Sequence, residues 1–165
     1  MNNSIKIKLS NKFPVQITYE ITGTIIVIPV MPESISESVS ANYSTQDIVG
    51  ASAPRILYSS TSAPTISLTL KNLTEDYLPE GFSSLRELVR AFQALTYPTY
   101  YSGTVTAPEV TVKLGNRSFK GVTNSVSVSW GNTVKDGEIL NCTVDLQFTR
   151  TRNTVEGATI IEKEG

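Results

Sequence analysis

The side chains that could do chemistry in this 165-residue chain are few, and most are carboxylates. Glu33, Glu37 and Asp47 fall in one Ser-rich stretch, while Glu75, Asp76 and Glu80 stand just ahead of a helical pattern. A hydrolase built on paired carboxylates needs two of them facing each other across a cleft. Acidic residues ahead of a helix are more simply partners of its dipole, and loop carboxylates are ordinarily solvated charge. The chain has no histidine, which removes the commonest general base, proton shuttle and metal ligand together. Zinc sites of cysteine and histidine, and Ser/His/Asp or Cys/His catalytic arrangements, cannot be drawn. The glycines show no phosphate-cradling spacing followed by a helix. The residues therefore point to no catalytic group, no metal site and no cofactor.

Cys142 is the single cysteine, so no intramolecular disulfide can form, and its alternating neighbours mark it as a small apolar strand residue. Tyr97, Tyr100 and Tyr101 cluster around Pro98. Such a cluster can stack on a sugar, sit at a protein interface, or close the end of a core beneath a helix. Trp130 ends an alternating run, the position of a core or rim anchor. With 39% hydrophobic and 18% charged residues, the chain has the composition of one packed domain rather than a disordered segment. A net charge of -1 argues against general nucleic-acid or membrane-surface binding. Met1-Asn2-Asn3-Ser4 leads into alternation without the apolar core of a signal peptide, and no segment is long enough to span a bilayer. A cytosol-like compartment without membrane partners is the expectation.

The elements that would position these residues are mostly strands. Ser4 to Leu9 alternates, and Phe13, Val15, Ile17, Tyr19 and Ile21 share one face of the next run. Thr24 to Ile28 is continuously apolar and β-branched, which predicts a strand covered on both sides, ended by Pro29 and Pro32. Residues 33–63 are weaker in pattern and Ser-rich, and read as a long loop-rich arm. Alternation returns from Thr65 to Leu70. From Ser84 to Thr96 the period changes: Leu85, Leu88, Val89, Phe92 and Leu95 make one helical stripe, with Ser84 and Glu87 fitting a capping box. Val110, Val112 and Leu114 alternate up to a Gly115-Asn116 turn. Ser125 to Trp130 and Cys142 to Phe148 then read as a long antiparallel hairpin, joined by a loop carrying Lys135-Asp136-Gly137. One face of this hairpin is small and polar: Ser125, Ser127 and Ser129 against Asn141, Thr143, Asp145 and Gln147.

Several of these pieces occur in a familiar order: Pro32-Glu33-Ser34-Ile35-Ser36-Glu37, then Ser40-Ala41-Asn42-Tyr43, Gly50, the Ile66–Leu70 strand and the helix. Ala107-Pro108-Glu109-Val110, Phe119-Lys120-Gly121-Val122 and Asp136-Gly137 follow. Over residues 4–150 the chain resembles the tube-protein family of contractile injection systems, including the tube initiators at the baseplates of contractile-tailed phages. The resemblance implies a mainly β, tail-tube-like β-sandwich or barrel of two packed antiparallel sheets with one flanking α-helix. It implies one such domain over residues 1–150, with an assembly arm at about 33–63, and a C-terminal extension over 151–165. Larger relatives carry a peptidoglycan-binding module that this chain does not show, so wall binding is not carried over.

What the resemblance implies for function is a structural virion protein rather than an enzyme. As a tail tube initiator or baseplate tube adaptor it would form a homo-hexamer between the tail tube subunits and the baseplate hub proteins, assembled in the host cytoplasm. DNA would pass through its lumen without specific binding. Ser125, Ser127, Ser129, Asn141, Thr143, Asp145 and Gln147 are the candidate lumen-facing residues, since a lining poor in Lys and Arg holds phosphate weakly. Glu33, Ile35, Glu37, Tyr43 and Asp47 are the candidates for an inter-subunit arm. A major tail tube subunit is the near alternative. A carbohydrate-binding β-sandwich resting on the tyrosine cluster is an alternative of another class, and a hydrolase using the carboxylates is the weakest.

Overall fold

Apolar residues at every second position give each strand one face to bury, and the chain solves this with a single long sheet folded on itself. The computed structural model describes residues 15–19, 23–28, 32–114 and 117–151. In chain order the strands are β1 (Val15–Tyr19), β2 (Thr24–Ile28), β3 (Ser34–Ser38), β4 (Ala41–Gln46), β5 (Arg55–Thr61) and β6 (Thr65–Thr74). A short 3-10 turn (Glu75–Tyr77) and helix α1 (Leu85–Ala94) follow. Then come β7 (Thr99–Tyr101), β8 (Thr104–Thr106), β9 (Glu109–Leu114), β10 (Arg117–Trp130), β11 (Val134–Lys135), β12 (Glu138–Ile139) and β13 (Asn141–Arg150).

The main sheet runs in the order β2-β1-β9-β10-β13-β6-β3, antiparallel throughout. Strand β10 belongs to both halves. Its first part, Arg117–Val122, pairs with β9, and its later part, up to Trp130, pairs with β13. Between Thr123 and Ser125 the register shifts, and Asn124 is the extra residue. One inserted residue reverses the alternation: Phe119 and Gly121 point into the core before it, Val126 and Val128 after it. The strand bends at this bulge and passes from one layer to the other, a usual way of turning a sheet corner. Asn124 donates its side-chain N–H to Thr149 Oγ1 across the corner. Gly121 is required there, because a Cβ would lie 2.1 Å from the Thr149 carbonyl oxygen.

The two layers enclose one core. Val15, Ile17, Ile26, Ile28, Val110, Val112 and Phe119 come from one layer, and Ile66, Leu68, Leu70, Val144, Leu146 and Phe148 from the other. At the rim Arg117 Nη1 meets Glu37 Oε1 at 3.2 Å, although β10 and β3 stand three strand spacings apart along the sheet, roughly 14 Å. Only a sheet folded over on itself brings them together. Helix α1 contributes Leu85, Leu88, Val89 and Phe92, with Leu95 just beyond its end, to the same core.

Three expectations need correction. Among the described residues β2 is at the edge of the sheet, with Thr24 and Ile25 exposed and Ile26 and Ile28 buried, so what is described of its apolar run is covered on one side. The arm contains a β-hairpin rather than loop alone: β4 and β5 pair from Ala41↔Thr61 to Gln46↔Arg55. The helix cap is shared differently from a capping box. Ser84 Oγ accepts the Glu87 N–H at 3.2 Å, but the Glu87 carboxylate takes both the N–H (3.0 Å) and the hydroxyl (2.7 Å) of Ser83. These bonds, the backbone one first, hold Glu87 below the ordinary carboxylate pKa. The Ser4–Leu9 run, the Gly115-Asn116 turn and the extension from residue 152 lie outside the described residues.

Candidate functional site

In the β10–β13 hairpin the small polar residues of the two strands stand opposite one another. Ser125 stands opposite Gln147, Ser127 opposite Asp145 and Ser129 opposite Thr143. Ser125 Oγ lies 3.4 Å from Gln147 Oε1. Asn141, at the head of β13, is half-buried and pairs with Thr74 rather than with β10. Behind these residues Cys142, Val144, Leu146 and Phe148 are buried, so one face of β13 is core and the other is open.

The same open face extends over two further strands. Thr65, Ser67 and Thr69 of β6 stand opposite Thr149, Gln147 and Asp145, and Ser38, Ser36 and Ser34 of β3 stand opposite Thr65, Ser67 and Thr69. Four strands thus present rows of hydroxyl and amide side chains, such as Ser36–Ser67–Gln147–Ser125. Thr69 donates its hydroxyl to Asp145 Oδ1 at 2.7 Å, and Ser38 and Thr65 share a 2.6 Å hydroxyl contact. At the upper end of this face Lys71 meets Glu33 at 2.8 Å. That hydrogen bond, and then the attraction of the carboxylate, holds the Lys71 ammonium above its ordinary pKa. Sequence reading found the β6 strand from its alternation but missed β3, and did not join either to the polar face. The signal was there, in the Ser34, Ser36, Ser38 spacing, but it was read as part of a loop-rich arm.

Among the described residues both margins of this four-strand layer are open. Among the described residues, β3 pairs only with β6, and no strand pairs with the other side of Thr123–Trp130 of β10. The strands alternate in direction, so β3 runs opposite to β10.

The arm candidates separate. Ile35 and Glu37 lie on β3 within the main sheet, and Glu33 adjoins it through its N–H to the Thr69 carbonyl, 2.8 Å. Tyr43 is on β4, and Asp47 is in the exposed tip that follows. The β4–β5 hairpin continues the β3–β6 pair beyond the end of the sheet. Ser62 N–H donates to the Ser40 carbonyl, and side-chain bonds Ser40–Ser62 and Asn42–Ser60 carry on the polar ladder. Every residue of β4 and β5 is exposed.

Glu33 and Glu37 are held by Lys71 and Arg117, and among the described residues no group of three or more His, Cys, Asp or Glu side chains converges. Cys142 is buried beneath the sheet, and burial pushes its thiol up to about 11. Tyr97 and Tyr100 are exposed, so they do not close the end of the core. The side chain of Tyr101 lies outside the described residues. Trp130 is 43% exposed, at the rim of a 220 Å³ cleft shared with Arg86, Gly137, Glu138 and Ile139. Among the described residues no helix is long and apolar enough to cross a membrane.

The chain is a two-layer antiparallel β-sandwich with one flanking helix, a hydroxyl-rich open face and sheet margins that are unpaired among the described residues. The chain belongs to the family of contractile injection system tube proteins, whose family model matches residues 5–159. It is thus a tube-related structural component of a tail-like injection apparatus. No curated protein matches it.

Proposed function

We propose that the chain is the tube initiator or baseplate tube adaptor of a contractile phage tail. Six copies close into a ring that joins the baseplate hub to the tail tube subunits. The four-strand polar face lines its channel, through which DNA passes without specific contact. The role is structural and non-catalytic, exercised in the virion after assembly in the host cytoplasm.

The observation that carries this reading is the pair of open margins on the polar layer. An exposed strand edge invites pairing with another chain, and closure into a barrel is the arrangement that removes it. Because β3 and β10 run in opposite directions, β3 of one copy meets β10 of the next as an antiparallel neighbour. With four strands from each of six copies, a strand spacing of about 4.8 Å and a tilt of about 40°, the barrel is roughly 48 Å across between backbones. The lining supports free passage: its ionised groups among the described residues are Asp145 and the Lys71 ammonium already met by Glu33. Preference for a baseplate position over the major tube rests on the family resemblance of the arm and the Phe119–Val122 segment.

Electron microscopy of the purified protein and of its parent particle tests the reading. Closed sixfold rings with sheet continuous from Ser34–Ser38 of one copy to Thr123–Trp130 of the next are expected, in a single layer at the baseplate. Rings with these edges facing solvent would remove the channel assignment, and a ring repeated along the whole tail would make the chain the major tube subunit.

A further inference from the structure

One cation stands at the wrong end of its own helix. Arg86 is in the first turn of α1, where the helix dipole is positive, and it takes part in no ion pair among the described residues. It lines the 220 Å³ cleft together with Trp130 at the end of β10 and Gly137, Glu138 and Ile139 of the β11–β12 turn. Glu138 is likewise in no ion pair among the described residues, and Trp130 is 43% exposed. The cleft thus sets an open indole and Ile139 between a cation on the helix and a carboxylate on the turn.

An occupant matching both walls carries aliphatic residues with an acid and a base next to one another. The sequence after β13 has such a segment, Ile160-Ile161-Glu162-Lys163. In an extended chain side chains alternate, so Ile160 and Glu162 would share one side and Ile161 and Lys163 the other. The Ser4–Leu9 run suits the cleft less well, because its only charges are Lys6 and Lys8, which Arg86 would repel. Reach is also matched. Thr151 donates its N–H to the Lys120 carbonyl at 3.2 Å, and Lys120 lies on β10, the strand that ends at Trp130. The runs Lys120–Trp130 and Thr151–Ile161 contain equal numbers of residues, so an extended chain starting at Thr151 covers the same distance, about 33 Å at the usual rise per residue.

We infer that Ile160–Lys163 of each chain lies in that chain's own Trp130 cleft, as a strap running from the end of β13 to helix α1. Glu162 meets Arg86, Lys163 meets Glu138, and the two isoleucines cover Trp130 and Ile139. Ion pairs at an open cleft contribute little singly, so burial of the indole and the isoleucines supplies most of the hold, while the charges fix the direction of the segment. The strap fastens α1, β10 and the β11–β12 turn to one another, and it closes the cleft to other proteins. One chain is enough to form it, so the inference stands apart from the ring reading.

Trp130 is the only tryptophan of the chain, so its emission and its quenching by acrylamide report the cleft alone. Both are read on the full chain through a dilution series, with size-exclusion chromatography marking the monomer, and on a chain stopped after Gly157. Shortening should shift the emission to longer wavelength and raise the quenching severalfold. A peptide of residues 158–164 added to the shortened chain should reverse both changes. A charge exchange separates loss of the strap from loss of the fold. Arg86→Glu should raise quenching, and Arg86→Glu combined with Glu162→Arg should restore it, with the circular dichroism spectrum unchanged in both. Equal quenching in the full and shortened chains would overturn the strap, as would a double exchange no better protected than Arg86→Glu alone. Protection lost on dilution would also overturn it, because the segment would then come from a second copy. Burial of Trp130 only when other tail proteins are added would do the same, and would make the cleft a partner's docking site. Electron microscopy of the same samples decides the ring reading separately, since rings can form or fail with the strap in place.

Discussion

Replacing Gly121 by alanine tests whether the corner of β10 is what divides the sheet into a polar layer and its cover. The added Cβ would sit 2.1 Å from the Thr149 carbonyl oxygen and 2.8 Å from its carbon. That is roughly 1.4 Å inside an ordinary van der Waals contact of about 3.5 Å. Both obstructing atoms are backbone of the paired strand, so relief requires β10 and β13 to part at the Gly121↔Arg150 step. Overpacking of this kind costs about 1–3 kcal/mol, and weakening one ladder hydrogen bond adds about 1 kcal/mol. A loss of about 2–4 kcal/mol lowers the melting temperature by roughly 5–15 °C for a chain of this length. Gly131→Ala is the control. Its Cβ would meet the Asn141 side-chain amide at 2.0 Å, but that amide can rotate and its buried oxygen has no protein partner to lose. The displacement costs about 1 kcal/mol, the range of one off-rotamer side chain. Thermal unfolding followed by circular dichroism reads both. A Gly121→Ala protein melting with the wild type, or a Gly131→Ala protein falling as far as Gly121→Ala, would refute the account of the corner.

The other predictions concern core, face and thiol. Phe92→Ala removes a fully buried ring joining helix to sheet and should cost about 3–5 kcal/mol in chemical denaturation; an unchanged midpoint would count against its placement. Ser127→Lys combined with Thr143→Lys, on neighbouring strands of the open face, should leave the melting temperature of the isolated chain within a few degrees while reducing DNA delivery by assembled particles; unimpaired delivery would contradict the channel assignment. Cys142 should resist thiol reagents at pH 8 until the protein unfolds, since burial raises its thiol from an ordinary 9.0 to about 11. The unfolded chain releases this proton first, so the contribution to stability is complete below about pH 9 and is lost as the pH climbs towards 11, which unfolding measured across that window checks.

How far the sequence could be read depended on whether a strand had a core to face. β13 and the later part of β10 each bury one side, so Val144, Leu146 and Phe148 against Asp145 and Gln147 marked both the strand and its apolar face. β4 and β5 face solvent on both sides, so no amphipathic alternation announced them. Asn124 was invisible for another reason: a bulge is one residue of unremarkable type, detectable only because the inward phase moves from Phe119 and Gly121 to Val126 and Val128. The exposure of Thr24 and Ile25 among the described residues was not foreseen, because a β-branched run is equally compatible with one covered face or two. The cap partner of Glu87 turned on a choice between adjacent serines, Ser83 and Ser84, that spacing does not make. Of the polar face, the hairpin and the β6 strand were legible, whereas β3 was hidden inside a serine-rich stretch whose composition suggests loop.

An even number of strands in the polar layer has a consequence for stoichiometry. Since each copy begins and ends with strands of opposite direction, any number of copies can join without a mismatch in polarity, so strand pairing does not choose the ring size. Angle has to choose it. Closing six copies turns the wall about 15° per strand and closing seven about 13°, a gap far smaller than the roughly 25° range over which neighbouring strands ordinarily vary in twist. A difference of about 2° per strand is too slight for the sheet to enforce alone. On the ring reading, copy number is inherited from the symmetric surface on which the ring is laid down.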